Sequence, residues 1–210
     1  AFALASPARL IAAEPDGARL AAGREIARLL GIDHRIEWRA EALGRLSLPD
    51  KSADVVYAIE VVEHVHGDPA AIRDLGRLSR DLLVITTPNR LFPLIAHDTR
   101  LPFCHWLPLP ARLVYARLCG RADRENDNRF WSAADLDRLL PEYRVASAFL
   151  HYPSIGDYLA TLPRYLPYNG GTEVGRPGLA QRTYYRLAAT LGGHSRHVLP
   201  NIAAVYRRRG

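Results

Sequence analysis

Asp54–Val65, DVVYAIEVVEHV, and Leu82–Thr87, LLVITT, decide how this chain folds. Both are short apolar runs rich in β-branched residues, and the second stops at Pro88-Asn89. They read as strands buried on both faces, as strands of a parallel sheet are. Between them Asp68-Pro69 opens a helix whose Ile72, Leu75 and Leu78 share one face. Strand, helix and strand in that order predict a parallel βαβ unit. The first strand ends in Glu60, Glu63 and His64, and the carboxyl ends of parallel strands are where open sheets put ligands.

The same alternation extends in both directions. Toward the N-terminus, Ala8–Ala13 is a short strand ending at Glu14, and Asp16 caps a helix that Gly31 stops. Ala18, Ala22, Ile26 and Leu29 are the expected core stripe of that helix. His34–Arg39 is the next strand. Toward the C-terminus, Ser132 with Asp135 forms a capping box that opens a helix through Leu140. Tyr143–Leu150 and Asn201–Tyr206 read as the last strands, and residues 154–192 carry Tyr158, Leu162, Tyr165, Tyr184, Tyr185 and Leu187 at helical spacing. Residues 90–118 break the rhythm: Pro93, Pro102, Pro108 and Pro110 stand among Leu, Phe, Trp and His, a composition expected of an insertion packed as a lid over a site.

Composition narrows the function classes. With 210 residues, 48% of them hydrophobic, the chain is expected to form one domain. It has no apolar stretch of membrane-spanning length and no signal sequence, so a cytoplasmic protein is expected, with peripheral membrane contact left open. Cys104 and Cys119 lack any zinc or CxxC spacing and read as packing residues. The net charge is +6, but the arginines are scattered singly among Ala and Leu, and the one basic run, Arg207–Arg209, is terminal. A nucleic-acid partner is therefore disfavoured. The chain has no methionine, and no glycine-rich nucleotide loop precedes Asp54, which reads as a chain lacking part of its site.

LSLPDKSADVVYAIEVVEHV followed by LLVITTPN resembles the fourth and fifth strands of class I S-adenosylmethionine-dependent methyltransferases, most closely the branch of quinone-pathway O-methyltransferases. The resemblance implies an α/β, doubly wound, Rossmann-like sheet of seven strands in the order 3-2-1-4-5-7-6. It matches Ala8–Glu14 to the second strand and puts the first strand and its glycine loop upstream of Ala1. It implies one methyltransferase domain over residues 1–210, with insertions at about 90–130 and 151–195. A chain lacking its central strand is expected to aggregate or stay molten, bind cofactor poorly and be inactive by itself.

The resemblance also implies roles. Glu14 matches the acid that accepts hydrogen bonds from both ribose hydroxyls of S-adenosylmethionine; otherwise it is a solvated loop acid. Glu41 stands near the position facing the adenine amino group, although the spacing to Asp54 puts Ala42 there. Ile59 and Glu60 end their strand beside the methionine moiety. In a helical turn Glu60, Glu63 and His64 would project from one face, an arrangement suited to a divalent metal and similar to that of small-RNA 2'-O-methyltransferases. Those enzymes need a further histidine, where this chain has Asn126 and Asn128; alternatively EHV only starts a helix under the sheet. His97 and His105 either take the proton of an attacking hydroxyl or pack with Phe103 and Trp106. The expected reaction is methyl transfer to a hydroxyl of a small apolar molecule. Metal-dependent RNA 2'-O-methylation and a non-catalytic module are the alternatives.

Overall fold

A computed structural model describes residues 2–93, 101–121, 128–148, 179–191 and 196–210. Its elements are α1 (Phe2–Ala5), β1 (Leu10–Ala13), α2 (Gly17–Leu29), β2 (Ile36–Arg39), β3 (Ala53–Ile59), α3 (Pro69–Leu78), β4 (Ser79–Pro88), α4 (Leu109–Leu118), α5 (Ala133–Leu139), β5 (Tyr143–Ser147), α6 (Leu179–Ala189) and β6 (Asn201–Arg208). The chain divides into two compact units, Ala1–Pro49 and Asp50–Gly210.

In the first unit β1 and β2 pair in parallel, Leu10 opposite Ile36 and Ala13 opposite Arg39. Asp16 caps α2 as expected, its carboxylate accepting from the Arg19 N–H at 2.9 Å. The helix ends at Gly31, whose φ of +69° only glycine takes without strain. Ile32 N–H then bonds Ala27 O and Gly31 N–H bonds Arg28 O, a Schellman closure. The inward face of α2 differs from the expected stripe. Leu20, Gly23 and Ala27 are its covered positions, whereas Ala18, Ala22, Ile26 and Leu29 are exposed. Trp38 is the cause: its ring lies so close to Gly23 that a β-carbon there would sit 3.2 Å from it. An aromatic ring seated on a glycine turns that line of the helix inward.

In the second unit four strands form a mixed sheet in the order β3-β4-β6-β5. β3 and β4 are parallel, with Val56 opposite Leu83 and Ile59 opposite Thr86. β6 runs antiparallel to both β4 and β5. The two observed orders, β2-β1 and β3-β4-β6-β5, are those the resemblance implies for strands 3-2 and 4-5-7-6. Central β4 supplies the core with Leu83 and Ile85, and α3 covers one face with Ile72, Leu75 and Leu78, all buried. Gly76 lets α3 approach the end of α5 and the start of β5: a β-carbon there would meet Leu140 at 2.9 Å and the Tyr143 ring at 3.5 Å. Tyr143 fastens the contact, its hydroxyl donating to the carbonyls of Gly76 at 2.9 Å and Ser79 at 3.0 Å.

The capping box at Ser132 and Asp135 forms as expected. The described part of the proline-rich segment is not the closed lid that its composition suggested. Phe103, Trp106, Leu107, Val114 and Leu118 are exposed.

Candidate functional site

β3 ends in a tight loop that the strand pairing holds in place. Glu60 donates its N–H to Thr86 O at 2.9 Å and to Thr86 Oγ1 at 3.1 Å, so the end of β4 supports the end of β3. Glu60 takes a φ of +51°, and His66 and Gly67 follow at +53° and +77°. A non-glycine residue in the left-handed region costs roughly 1–2 kcal/mol, and such strain concentrates at ligand sites. One 3-10 turn, Val62–His64, leads to Asp68, which caps α3 through the Ala70 N–H at 2.8 Å.

This geometry corrects the expected metal set of Glu60, Glu63 and His64. A shared α-helical face is absent, because Glu60 precedes the turn and the turn itself is 3-10. Glu63 is buried, accepting from Thr87 Oγ1 at 3.0 Å, and His64 Nδ1 lies 2.9 Å from Asn128 Oδ1. Among the described residues no group of three His, Cys, Asp or Glu side chains can hold a metal. Burial, reinforced by the charge of Glu60, raises the Glu63 pKa above the ordinary carboxyl value.

The residues missed by sequence reasoning are those that clasp this loop. Arg129 N–H donates to Glu63 O at 3.0 Å and Trp131 Nε1 to Val62 O at 2.9 Å. Arg112 reaches from α4 to donate to Asn128 O at 2.8 Å, with its guanidinium 5.6 Å from the Phe130 ring centre. His105 stacks on the same ring, its centroid 3.9 Å from that of Phe130. The signal available was NRFWS itself: an arginine and two aromatics immediately before a capping box are more than a helix start requires. A cavity of about 230 Å³ borders the clasp, lined by Gly67, Arg90, Arg129, Phe130, Trp131 and Asp135.

The other expected site residues fall as follows. Glu14 follows β1, its N–H bonding Arg39 O at 3.0 Å while its Oε1 accepts from the Asp16 N–H at 2.9 Å. Glu41 ties a loop: its carboxylate accepts from the Ser47 N–H at 2.6 Å and from the Ser47 hydroxyl at 2.8 Å. The Ser47 N–H and hydroxyl hold the Glu41 pKa below the usual range. Ile59 and Glu60 are half-buried at the strand end. His105 is buried, and His97 and Asn126 lie outside the described residues.

The fold is the Rossmann-like fold of S-adenosylmethionine-dependent methyltransferases. The chain is similar to geranyl diphosphate C-methyltransferase from Streptomyces coelicolor A3(2), with a TM-score of 0.55 and 12% identity, covering 98% of this chain and 64% of that one. It is similar to the [4+2]-cyclase SpnF with a TM-score of 0.54 and 14% identity, covering 98% and 69%. At such identities the likeness concerns fold, and a cyclase on the same scaffold shows that fold does not fix reaction.

Residues 1–81 match the family described as Methyltransferase domain. Over 72 residues the chain is 38% identical to a probable S-adenosylmethionine-dependent methyltransferase of Mycobacterium tuberculosis, covering 33% of this chain and 26% of that relative. The match thus spans about a quarter of the curated relative's length.

Proposed function

We propose that the protein transfers the methyl group of S-adenosylmethionine to a hydroxyl of a small apolar molecule, in the manner of the quinone-pathway O-methyltransferases. The observation that carries this reading is the left-handed turn at Glu60, held by Thr86 at the carboxyl end of a parallel strand pair, within a chain whose first 81 residues match a methyltransferase family. In the same proposal the six described strands are part of a seven-strand sheet, and the chain forms one domain with insertions at about 90–130 and 151–195. The two observed sheet orders support this. A cytoplasmic location with reduced Cys104 and Cys119 accompanies the reading.

S-adenosylmethionine supplies an electrophilic methyl on a sulfonium. The chain's own part is positioning, which contributes most of the rate in an in-line displacement. Glu14 is assigned to the ribose hydroxyls, and Ile59 and Glu60 to the methionine end. Glu41, closing the 41–47 loop through Ser47, shapes the adenine edge. A carbon–oxygen bond forms as the carbon–sulfur bond breaks, and the hydroxyl proton passes to a base. His97 is assigned that role, with His105 on Phe130 as a supporting wall. The alternative of metal-dependent RNA 2'-O-methylation has less support, because Glu63 is bonded to Thr87 and His64 to Asn128.

Protein isolated from its native source, incubated with labelled methyl donor and small phenols or lipid-soluble alcohols, is expected to label the organic phase. The label should persist in chelator. Binding of S-adenosylhomocysteine without any transfer, across acceptors and extracts, would leave the non-catalytic reading instead.

A further inference from the structure

Gly67 closes the loop that follows β3, and Arg90 stands just past the end of β4. Both lie at the carboxyl ends of the parallel pair, the side of an open sheet on which ligands bind. Residues 128–131 are laid against this edge: Asn89 and Trp131 form a parallel bridge, and Arg90 N–H donates to Trp131 O at 3.0 Å. With Phe130 and Asp135 these residues line the cavity of about 230 Å³.

The lining is specified in detail. Gly67, at a φ of +77°, lacks the β-carbon that would meet the Arg129 stem at 3.3 Å, so that stem lies on the glycine. Trp131 spends its indole N–H on Val62 O at 2.9 Å, which leaves the ring only apolar surface to offer. Asp135 accepts from the Ser132 N–H at 3.0 Å and hydroxyl at 2.7 Å, and pairs with Arg90 at 3.1 Å. That carboxylate holds its own helix. Two guanidinium groups against one carboxylate make the lining positive. Guanidinium groups recognise carboxylate and phosphate through paired N–H donors, and aromatic rings beside them suit the apolar body of the same ligand. Pockets for drug-sized molecules begin at about 300 Å³, so this smaller one suits a single ring bearing one acidic group.

We infer that this cavity is a binding subsite for a ring-bearing organic acid, carboxylate or phosphate, with Arg90 and Arg129 on the acid and Phe130 and Trp131 along the ring. Binding there needs no methyl donor, so the inference stands apart from the methyl-transfer reading. Its test is calorimetric titration of the whole protein with benzoate, phenyl phosphate and the neutral benzamide. At least one acid is expected to bind about tenfold more tightly than benzamide, and which one does so separates carboxylate from phosphate. Arg129→Met, which keeps an unbranched stem on Gly67 and removes the charge, should weaken that acid about tenfold and leave benzamide unchanged. Should the variant fail to fold, the acid must still slow amide exchange at Arg90 and Arg129–Trp131 in the unmodified protein. Asp123, Glu125 and Asp127 precede this segment in the chain. Acid binding that emerges only with Asp123→Asn, Glu125→Gln and Asp127→Asn would assign the cavity to the chain's own carboxylates and overturn the inference. No binding of either acid, equal affinity for acids and benzamide, inorganic phosphate binding as tightly as phenyl phosphate, or indifference to Arg129→Met would overturn it too.

Discussion

The β3–β4 region and the segment 101–121 are both rich in apolar residues, yet the second encloses an arginine and a histidine beside Cys104 and Ala116 and leaves large apolar side chains in solvent. In β4 the apolar Leu83 and Ile85 are enclosed and the polar Thr86 and Thr87 bond to neighbouring turns. In 101–121 the enclosed side chains include Arg112 and His105, and Leu118 faces solvent. Strand pairing fixes burial in the first case. In the second, burial is decided by Asn128–Trp131, which offer a carbonyl to Arg112 and a ring to both Arg112 and His105.

The contrast breaks most easily by truncation. Leu83→Ala, in the centre of the sheet, should cost about 3 kcal/mol in urea denaturation, whereas Leu118→Ala should change stability by less than about 0.5 kcal/mol. Equal losses would mean that Leu118 is covered in solution. Arg112→Ala should destabilise by about 2 kcal/mol despite removing a charge, because it leaves the Asn128 carbonyl without its buried donor. A neutral or stabilising result would show that the seating of α4 does not rest on Arg112.

A smaller effect separates the buried carboxyl from its neighbours. Burial raises the Glu63 pKa, so the folded state holds this proton more firmly than the unfolded state. The resulting contribution is fully present below the unfolded value near 4.5 and is lost as pH rises through the folded value. Glu63→Gln removes the titration. The stability of the native protein relative to this variant, followed by denaturation at increasing pH, should therefore fall above about 4.5. A difference that is flat or rises with pH would place Glu63 in a solvated or cation-paired setting.

The same comparison explains what the sequence disclosed. β3, α3, β4 and the caps at Asp16, Asp68 and Ser132 were legible because local chemistry dictates them: β-branched runs, a proline after an aspartate, a capping box. The inward face of α2 was not, since Trp38, beyond the end of the helix, chooses it by packing on Gly23. From sequence alone the loop after β3 reads as a helical turn presenting three metal ligands. Its actual form depends on Thr86 and Thr87 from the neighbouring strand and on Asn128, none of which a 3.6-residue period encodes. Glu14 and Glu60 stand at strand ends, a place the sequence discloses, whereas the contacts that Arg129 and Trp131 make with the loop do not show in it, because their partners lie far away in the chain.

The central claim is that the end of β3 is where this protein meets its methyl donor. Amide hydrogen exchange of the protein from its native source, with and without S-adenosylhomocysteine, tests it directly. Slower exchange at Ile59, Glu60 and Val61, with none across residues 101–121, is the predicted result; unchanged exchange at Ile59–Val61 with saturating ligand would contradict it.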